Sequence, residues 1–363
     1  MKKITSMILA LVFAVSVIGV ASAKTLKIQL TFPKTSYDGE ITKMWTDRVT
    51  KLTRGELKFE LLSKGEVVGM KETLEAVDKG LVDGGAAWTH YWSNYHPAAM
   101  LFGSPVAGGG IGLSTASWNA WYFDNGGKAL YDRLWDEMGM NVKGFIMAAS
   151  GPEALGWFKE PIHSMDDFRK YRFRTPPGIP GQTYKDIGVA SVSLSGGDIL
   201  PALEKGTIDA AEWCCPKPDS VFGFQKVLKH YYLQGLHQVV VNADFYINGT
   251  LYDGLTDHEK NSITIAAESS LMMSLSDRIY ENGKALKFLT EEAGVILHDT
   301  PSDYFTEYMA AALATLNKNA EENAFFNEVY TSMKNFADIA VPFWSGAQMS
   351  NAKLGMAHAA TLK

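Results

Sequence analysis

One unit occurs twice in this chain. Residues 74–88 read LEAVDKGLVDGGAAW, and residues 200–213 read LPALEKGTIDAAEW. Both run Leu-x-Ala, an apolar residue, an acid, Lys-Gly, any residue, an apolar residue and Asp, then mostly small residues and a Trp. The lysine suits the last turn of a helix. Gly80 and Gly206 suit a left-handed cap after it, and Asp83 and Asp209 suit the start of a strand. Gly caps are common wherever a helix gives way to a strand, so the cap alone decides nothing. The shared Lys-Gly-x-apolar-Asp is the stronger signal, with its glycines 126 positions apart (206 minus 80). It implies two lobes built on the same helix–Gly–strand unit. In open α/β sheets ligands gather outside the carboxyl ends of the strands, where Trp88 and the Glu212–Trp213 pair fall.

The flanking sequence agrees with that architecture. KTLKIQLTF reads as a strand, GEITKMWTDRVTKLT as a helix and LKFELLS as a second strand, an alternation that predicts an α/β domain with a largely parallel sheet. Residues 24–145 are expected to form the first lobe, rejoined by a return segment at about 236–260, and residues 146–235 the second. From residue 256 to 363 the pattern is helical. Thr256 with Glu259 makes a capping box that opens a helix long enough to span both lobes. The tail VPFWSGAQMSNAKLGMAHAATLK is expected to pack on its own body or on a second copy. The fold class predicted is therefore α/β: two lobes with a cleft between them, a long helix spanning both, and a helical C-terminal tail.

The N-terminus gives the compartment. Lys2 and Lys3, the apolar run MILALVFAVSVIGV and the small residues ASA form a signal peptide, with cleavage expected after Ala23. The apolar run falls short of the ~20 residues a membrane span needs. Export to the periplasm follows.

Composition removes several function classes. Net charge is −6 with no basic cluster, which speaks against nucleic acid as a partner. No metalloprotease, nucleophile-elbow, P-loop or dinucleotide motif occurs, so no enzyme is predicted. GGGIG at 108–112 reads as a flexible loop. The histidine pairs His90/His96 and His230/His237 have no ligand-like spacing. The only cysteines, Cys214 and Cys215, are adjacent. They close at best a strained ring and read as small buried residues.

What remains is a binding constellation. Arg174, in the strand-like YRFRTPP, shares a face with Arg172, and the prolines stiffen its exit. It is either a fixed guanidinium for a carboxylate or a surface arginine. Glu212 after two alanines, and Glu153 in the turn GPEALGW, are acids among small and apolar neighbours. If buried, each requires a cation; the alternative is a solvated loop acid. Trp88 and Tyr91, with His90 or Trp92, read either as an aromatic cleft wall or as packing under a loop.

The segments YWSNYHPA, SGPEALGWF, RFRTPP, LPALEKGTIDAAEW and VVVNADFYIN resemble the solute receptors of tripartite ATP-independent periplasmic (TRAP) transporters, most closely the 2-oxo acid and lactate branch. The resemblance implies a receptor, not an enzyme. Such a receptor binds a small organic acid anion, such as pyruvate or lactate, and delivers it to the TRAP membrane permease. It further implies a substrate carboxylate on Arg174, and a metal ion bound through Glu153, Glu212 and the carbonyl of Trp213. Trp88, Tyr91, Glu153, Trp213 and Asp244 complete the substrate contacts, and a homodimer through the C-terminal helix is implied as well. Two departures stand out: Glu153 where the branch carries Gln, and Asp244 where relatives carry Glu. Two carboxylates on the ion favour Ca²⁺ over Na⁺. Without a metal the two acids repel, and one protonates. The alternatives are a receptor for an aromatic or amino-bearing acid without metal, in which Glu153 recognises the amine, and an exported hydrolase or lyase using the two acids. Replacing Arg174 by Ala is expected to abolish ligand binding and spare the fold.

Overall fold

The computed structural model describes residues 23–194 and 196–361, so all of the expected leader at 1–23 but its last residue lies outside the described residues. The strands are β1 (Lys24–Leu30), β2 (Leu57–Leu62), β3 (Gly84–Trp88), β4 (Val142–Ser150), β5 (Gly156–Phe158), β6 (Arg172–Thr175), β7 (Ala190–Ser193), β8 (Ala210–Ala211), β9 (His230–Tyr232), β10 (Val241–Asn248) and β11 (Ile296–His298). Among the described residues they form two sheets, ordered β2-β1-β3-β10-β4 and β11-β9-β5-β8-β6-β7. Each half of the molecule is thus a sheet with helices packed on it, as the alternating pattern requires.

The largely parallel sheet expected from sequence is mixed instead. β10 runs antiparallel to both β3 and β4, and β5 runs antiparallel to β8 and β9. The reason is connectivity. β10 is reached from the second sheet rather than by a crossover helix within the first, so it enters from the opposite end. β4 also continues in the first sheet to Ser150, beyond residue 145.

The repeated unit is a structural repeat down to its hydrogen bonds. Gly80 and Gly206 have φ of +69° and +66°. The residue after each donates back to an alanine carbonyl, Leu81 to Ala76 and Thr207 to Ala202, both at 2.8 Å. Asp83 takes the Lys27 N–H at 2.7 Å, and Asp209 takes the Arg172 N–H at 3.3 Å. Each aspartate thereby pins the parallel neighbour strand in register. The tryptophans depart from this correspondence. Counted from the aspartates, Trp213 stands one residue earlier than Trp88, and one residue in a strand reverses the face.

The long helix Asp257–Glu291 starts at the predicted capping box, with Thr256 and Glu259 bonding reciprocally. At 35 residues it is about 50 Å long. Its first half packs Ile263, Ala266 and Ala267 into the core under the first sheet, and Leu289 belongs to the core of the second. Ser274 receives the Ala149 N–H, and Asn282 receives the Lys217 N–H. One rigid rod therefore touches both halves. The C-terminal helix Ala324–Ala360 buries Phe325, Phe326, Val329, Tyr330, Met333 and Ala337, whereas Ile339, Phe343, Met349, Leu354 and Met356 are exposed.

The segment GGGIG is not a flexible loop. Ala107, Gly108 and Gly109 form a tight left-handed turn, and Tyr330 donates to the Gly109 carbonyl at 3.0 Å. Gly110 has φ of +66°, which favours glycine, and a Cβ there would also press on the Leu313 methyl of the helix Ser302–Glu322 at 2.6 Å.

Candidate functional site

The site begins with the two alanines of β8. They let β5 and β6 close on either side, which leaves Glu212, the next residue, fully buried. Such an acid needs a cation, and β6 supplies one. Arg174 donates through Nη1 to Glu212 Oε1 and, at 3.0 Å, to the Glu212 carbonyl. Its Nε and Nη2 converge on the Leu194 carbonyl at 3.1 and 3.0 Å. Four of its five N–H groups are thereby engaged. Arg172, on the same strand, stays exposed and pairs with Asp209.

The turn after β4 brings Glu153 to the same place. Its N–H donates to the Gln238 carbonyl, and the Ala154 N–H donates to the Cys214 carbonyl at 2.8 Å. Gly156 has φ of +132°, and a Cβ there would stand 2.6 Å from the Ala211 carbonyl oxygen. Glycine is what allows the Glu153 turn to lie against the Glu212 strand. A buried aspartate fixes the other side. Asp219 accepts from Trp157 Nε1, Tyr231 Oη and the Cys214 N–H at 2.9, 3.0 and 3.0 Å. The cysteines are buried and unbridged. The backbone of Cys214 does the positioning, and its thiol faces Glu153 and Arg278.

His237 completes the cluster. Its Nε2 lies 3.5 Å from Glu212 Oε2 and 3.9 Å from Glu153 Oε2. All three residues are at least nine-tenths buried, and these three atoms lack hydrogen-bond partners. Burial drives the Glu153 carboxyl well above the usual range, and the charge of Glu212 adds to that. Burial acts on Glu212 in the same sense but is outweighed by Arg174 and His237, which hold it below the usual range. Two convergent carboxylate oxygens with nothing to accept from fit a bound cation. The structure thus brings together Glu153 and Glu212, the two side-chain metal donors that the resemblance implies.

The remaining predicted residues divide. Trp213 lies with its ring 5.3 Å from the Arg174 guanidinium, a position open to it because residue 196 is glycine; a Cβ added there would stand 2.7 Å from the indole. Tyr91 packs on Trp88, which also contacts Phe32. Burial raises the Tyr91 phenol, and the charges next felt there are Arg174, Asp38, Glu153 and Glu212, so it faces the cluster from the first lobe. Trp92 belongs to the core, and His90 is buried with its pKa lowered to about 4.

Asp244 is not brought to this cluster. It is fully buried in the first lobe, where it accepts from Thr89 Oγ1 at 2.9 Å and Tyr131 Oη at 3.0 Å. The register of β10 slips between Ala243 and Asp244, and an irregularity of that kind re-aims a side chain. Burial raises its pKa from 3.8 to about 7. The folded state then keeps a proton that the unfolded chain sheds, so this group lowers stability as pH rises from about 4 to about 7. Asp244→Asn is expected to remove that slope, with its melting temperature relative to wild type rising across the interval. A constant difference would show that the carboxyl is ionised throughout.

Comparison with known proteins now has a geometry to meet. Residues 30–323 match the family model described as bacterial extracellular solute-binding protein, family 7. The chain belongs to this family. A monocarboxylate 2-oxoacid-binding periplasmic protein of Nostoc sp. is 31% identical over 294 residues, covering 80% of this chain and 77% of that protein. The family 7 fold is shared with two TRAP solute-binding proteins of known structure. One, from Bordetella bronchiseptica, was solved as a dimer with copurified calcium and picolinate. It has a TM-score of 0.85 and 24% identity, covering 94% of this chain and 99% of that one. The other, from Colwellia psychrerythraea with bound calcium and pyruvate, has a TM-score of 0.83 and 22% identity, covering 92% and 99%. This is a family and fold of solute receptors.

Sequence reasoning missed His237, Asp219 and the part-buried pair Arg278–Asp38, whose nitrogen and oxygen are 2.7 Å apart. Nothing local marks them. His237 is in an ordinary loop, and Arg278 and Asp38 are 240 positions apart.

Proposed function

We propose that this family 7 protein is the periplasmic receptor of a TRAP transporter. It captures a small 2-oxo or 2-hydroxy monocarboxylate, such as pyruvate or lactate, and hands it to the membrane permease. The observation that carries this is the pair of buried, unpartnered carboxylate oxygens on Glu153 and Glu212, with the Arg174 guanidinium held on the other oxygen of Glu212. When bound there, a divalent cation neutralises both acids and supplies a positive centre for the ligand's carboxylate. Glu153 and Glu212, with the Trp213 carbonyl that the resemblance implies, would hold it, and the double negative charge would favour Ca²⁺ over Na⁺. Arg174 keeps Glu212 ionised and oriented and offers its remaining N–H to the ligand. Tyr91 and Trp88 close the site from the first lobe, which moves against the second about the hinge between them.

The Nostoc relative and the pyruvate-bound neighbour support this ligand class. The leader at residues 1–23 supports export. The exposed apolar residues of the C-terminal helix, from Ile339 to Met356, support a homodimer through that helix.

Isothermal calorimetry with pyruvate tests the proposal. Chelation and dialysis are expected to weaken binding by about 100-fold or more, and added Ca²⁺ to restore it. Binding indifferent to chelator would remove the metal; no binding of pyruvate or lactate under any condition would remove the ligand class.

A further inference from the structure

The hydrogen bonds behind His237 run in one direction. Tyr304 Oη accepts the Leu236 N–H at 3.0 Å, so its own proton must go elsewhere. The His237 backbone N–H bonds the same oxygen, and the hydroxyl of Tyr184, 3.2 Å away, is the partner there that can accept. The Tyr184 oxygen therefore accepts, and its own proton goes to His237 Nδ1, also at 3.2 Å. Reversing the chain would leave the buried Tyr304 proton without an acceptor, which is costly. All three side chains are fully buried, so no solvent rescues the reverse order.

With Nδ1 accepting, a neutral His237 carries its proton on Nε2, and a charged one carries a proton there as well. Nε2 therefore has no lone pair to give an ion. His237 stands beside the two carboxylates as a donor, although its position within the cluster resembles that of a ligand. Its distances of 3.5 and 3.9 Å to the carboxylate oxygens are too long for N–H···O bonds. The cluster thus has two unmet needs of opposite kind: acceptor oxygens that need a cation, and an N–H that needs an oxygen.

We infer that His237 Nε2–H donates to the oxygen on the carbon next to the ligand's carboxyl group, and that it selects 2-oxo and 2-hydroxy acids against 2-amino acids. This rests on the carboxylate-receptor reading above. A keto or hydroxyl oxygen accepts from the fixed donor. An ammonium group in that place has only protons to offer, and leaves both it and the imidazole N–H facing one another. Tyr184 and Tyr304 act through His237 as positioning residues.

The experiment combines histidine ¹⁵N NMR with calorimetry. In wild-type receptor, the Nε2-protonated form of His237 is expected with or without ligand, and its Nε2 signal should shift when pyruvate is added with Ca²⁺. His237→Gln, whose amide offers both a donor and an acceptor, is expected to weaken pyruvate by about 10- to 100-fold. It should narrow the preference over alanine and weaken Ca²⁺ binding without pyruvate by less than it weakens pyruvate. Tyr184→Phe is expected to release the tautomer. An Nδ1-protonated His237 in wild type, unchanged pyruvate affinity in the variant, or an equal loss of Ca²⁺ affinity without pyruvate would each overturn the inference. Failure of wild type to bind pyruvate or lactate would instead overturn the functional reading, and the inference with it.

Discussion

Arg174→Ala is expected to bind no pyruvate and also to lose about 3–5 kcal/mol of stability, because it strips a fully buried carboxylate of its cation. The sequence alone points to a variant that loses its ligand and keeps its fold. The geometry overturns the second half of that expectation. Arg174 holds Glu212 through both its side chain and its carbonyl, and it ties the Leu194 carbonyl to the same point. Removing it leaves an acid with no exposure and a neighbouring acid, Glu153, already pushed towards its neutral form. Arg174→Lys separates the two roles. A single ammonium keeps one charge beside Glu212 but cannot reach Leu194 and Glu212 together. It is expected to recover much of the stability and little of the affinity. Thermal unfolding of both variants without ligand, beside pyruvate titrations, reads the two effects separately. An alanine variant as stable as wild type would mean that Glu212 is protonated or solvated in the folded receptor.

What could be read from sequence follows the range of the interactions. The repeated helix–Gly–strand unit was legible because its parts are local: a left-handed glycine cap and an aspartate that pins one adjacent strand. Thr256 with Glu259 was legible for the same reason. Glu153, Arg174 and Glu212 were each visible as odd residues in their own segments, but their meeting depends on Gly156 and on the two alanines of β8. The direction of β10 was not legible, because it is set by where the chain re-enters the first sheet. Asp244 was misplaced for a related reason: a slip in strand register decides which face a side chain takes. His237 lay furthest out of reach. What matters about it is the proton on one nitrogen, and that is fixed by tyrosines 53 and 120 positions apart from their partners.

Glu153→Gln is expected to move stability in opposite directions with and without metal. In the metal-free receptor Arg174 pairs with Glu212 alone, and burial together with the charge of Glu212 disfavours ionisation of Glu153. An amide removes that conflict and offers N–H groups to the unpartnered Glu212 oxygen. A gain in stability follows, bounded by the like-charge term, which for oxygens within 4.8 Å is at most about 3–4 kcal/mol at an effective dielectric near 20. With Ca²⁺ the order reverses. The ion loses one of its two anionic protein donors, and affinity is expected to fall by about 100-fold or more, since charge count is a main lever on calcium sites. Na⁺, which asks for less negative charge, should lose much less. Melting curves in chelator, in Ca²⁺ and in Na⁺ therefore discriminate: the variant melts higher in chelator, lower in Ca²⁺, and shows the smallest difference in Na⁺. If Ca²⁺ stabilises both proteins equally, Glu153 does not touch the ion, and the second carboxylate must serve the ligand instead.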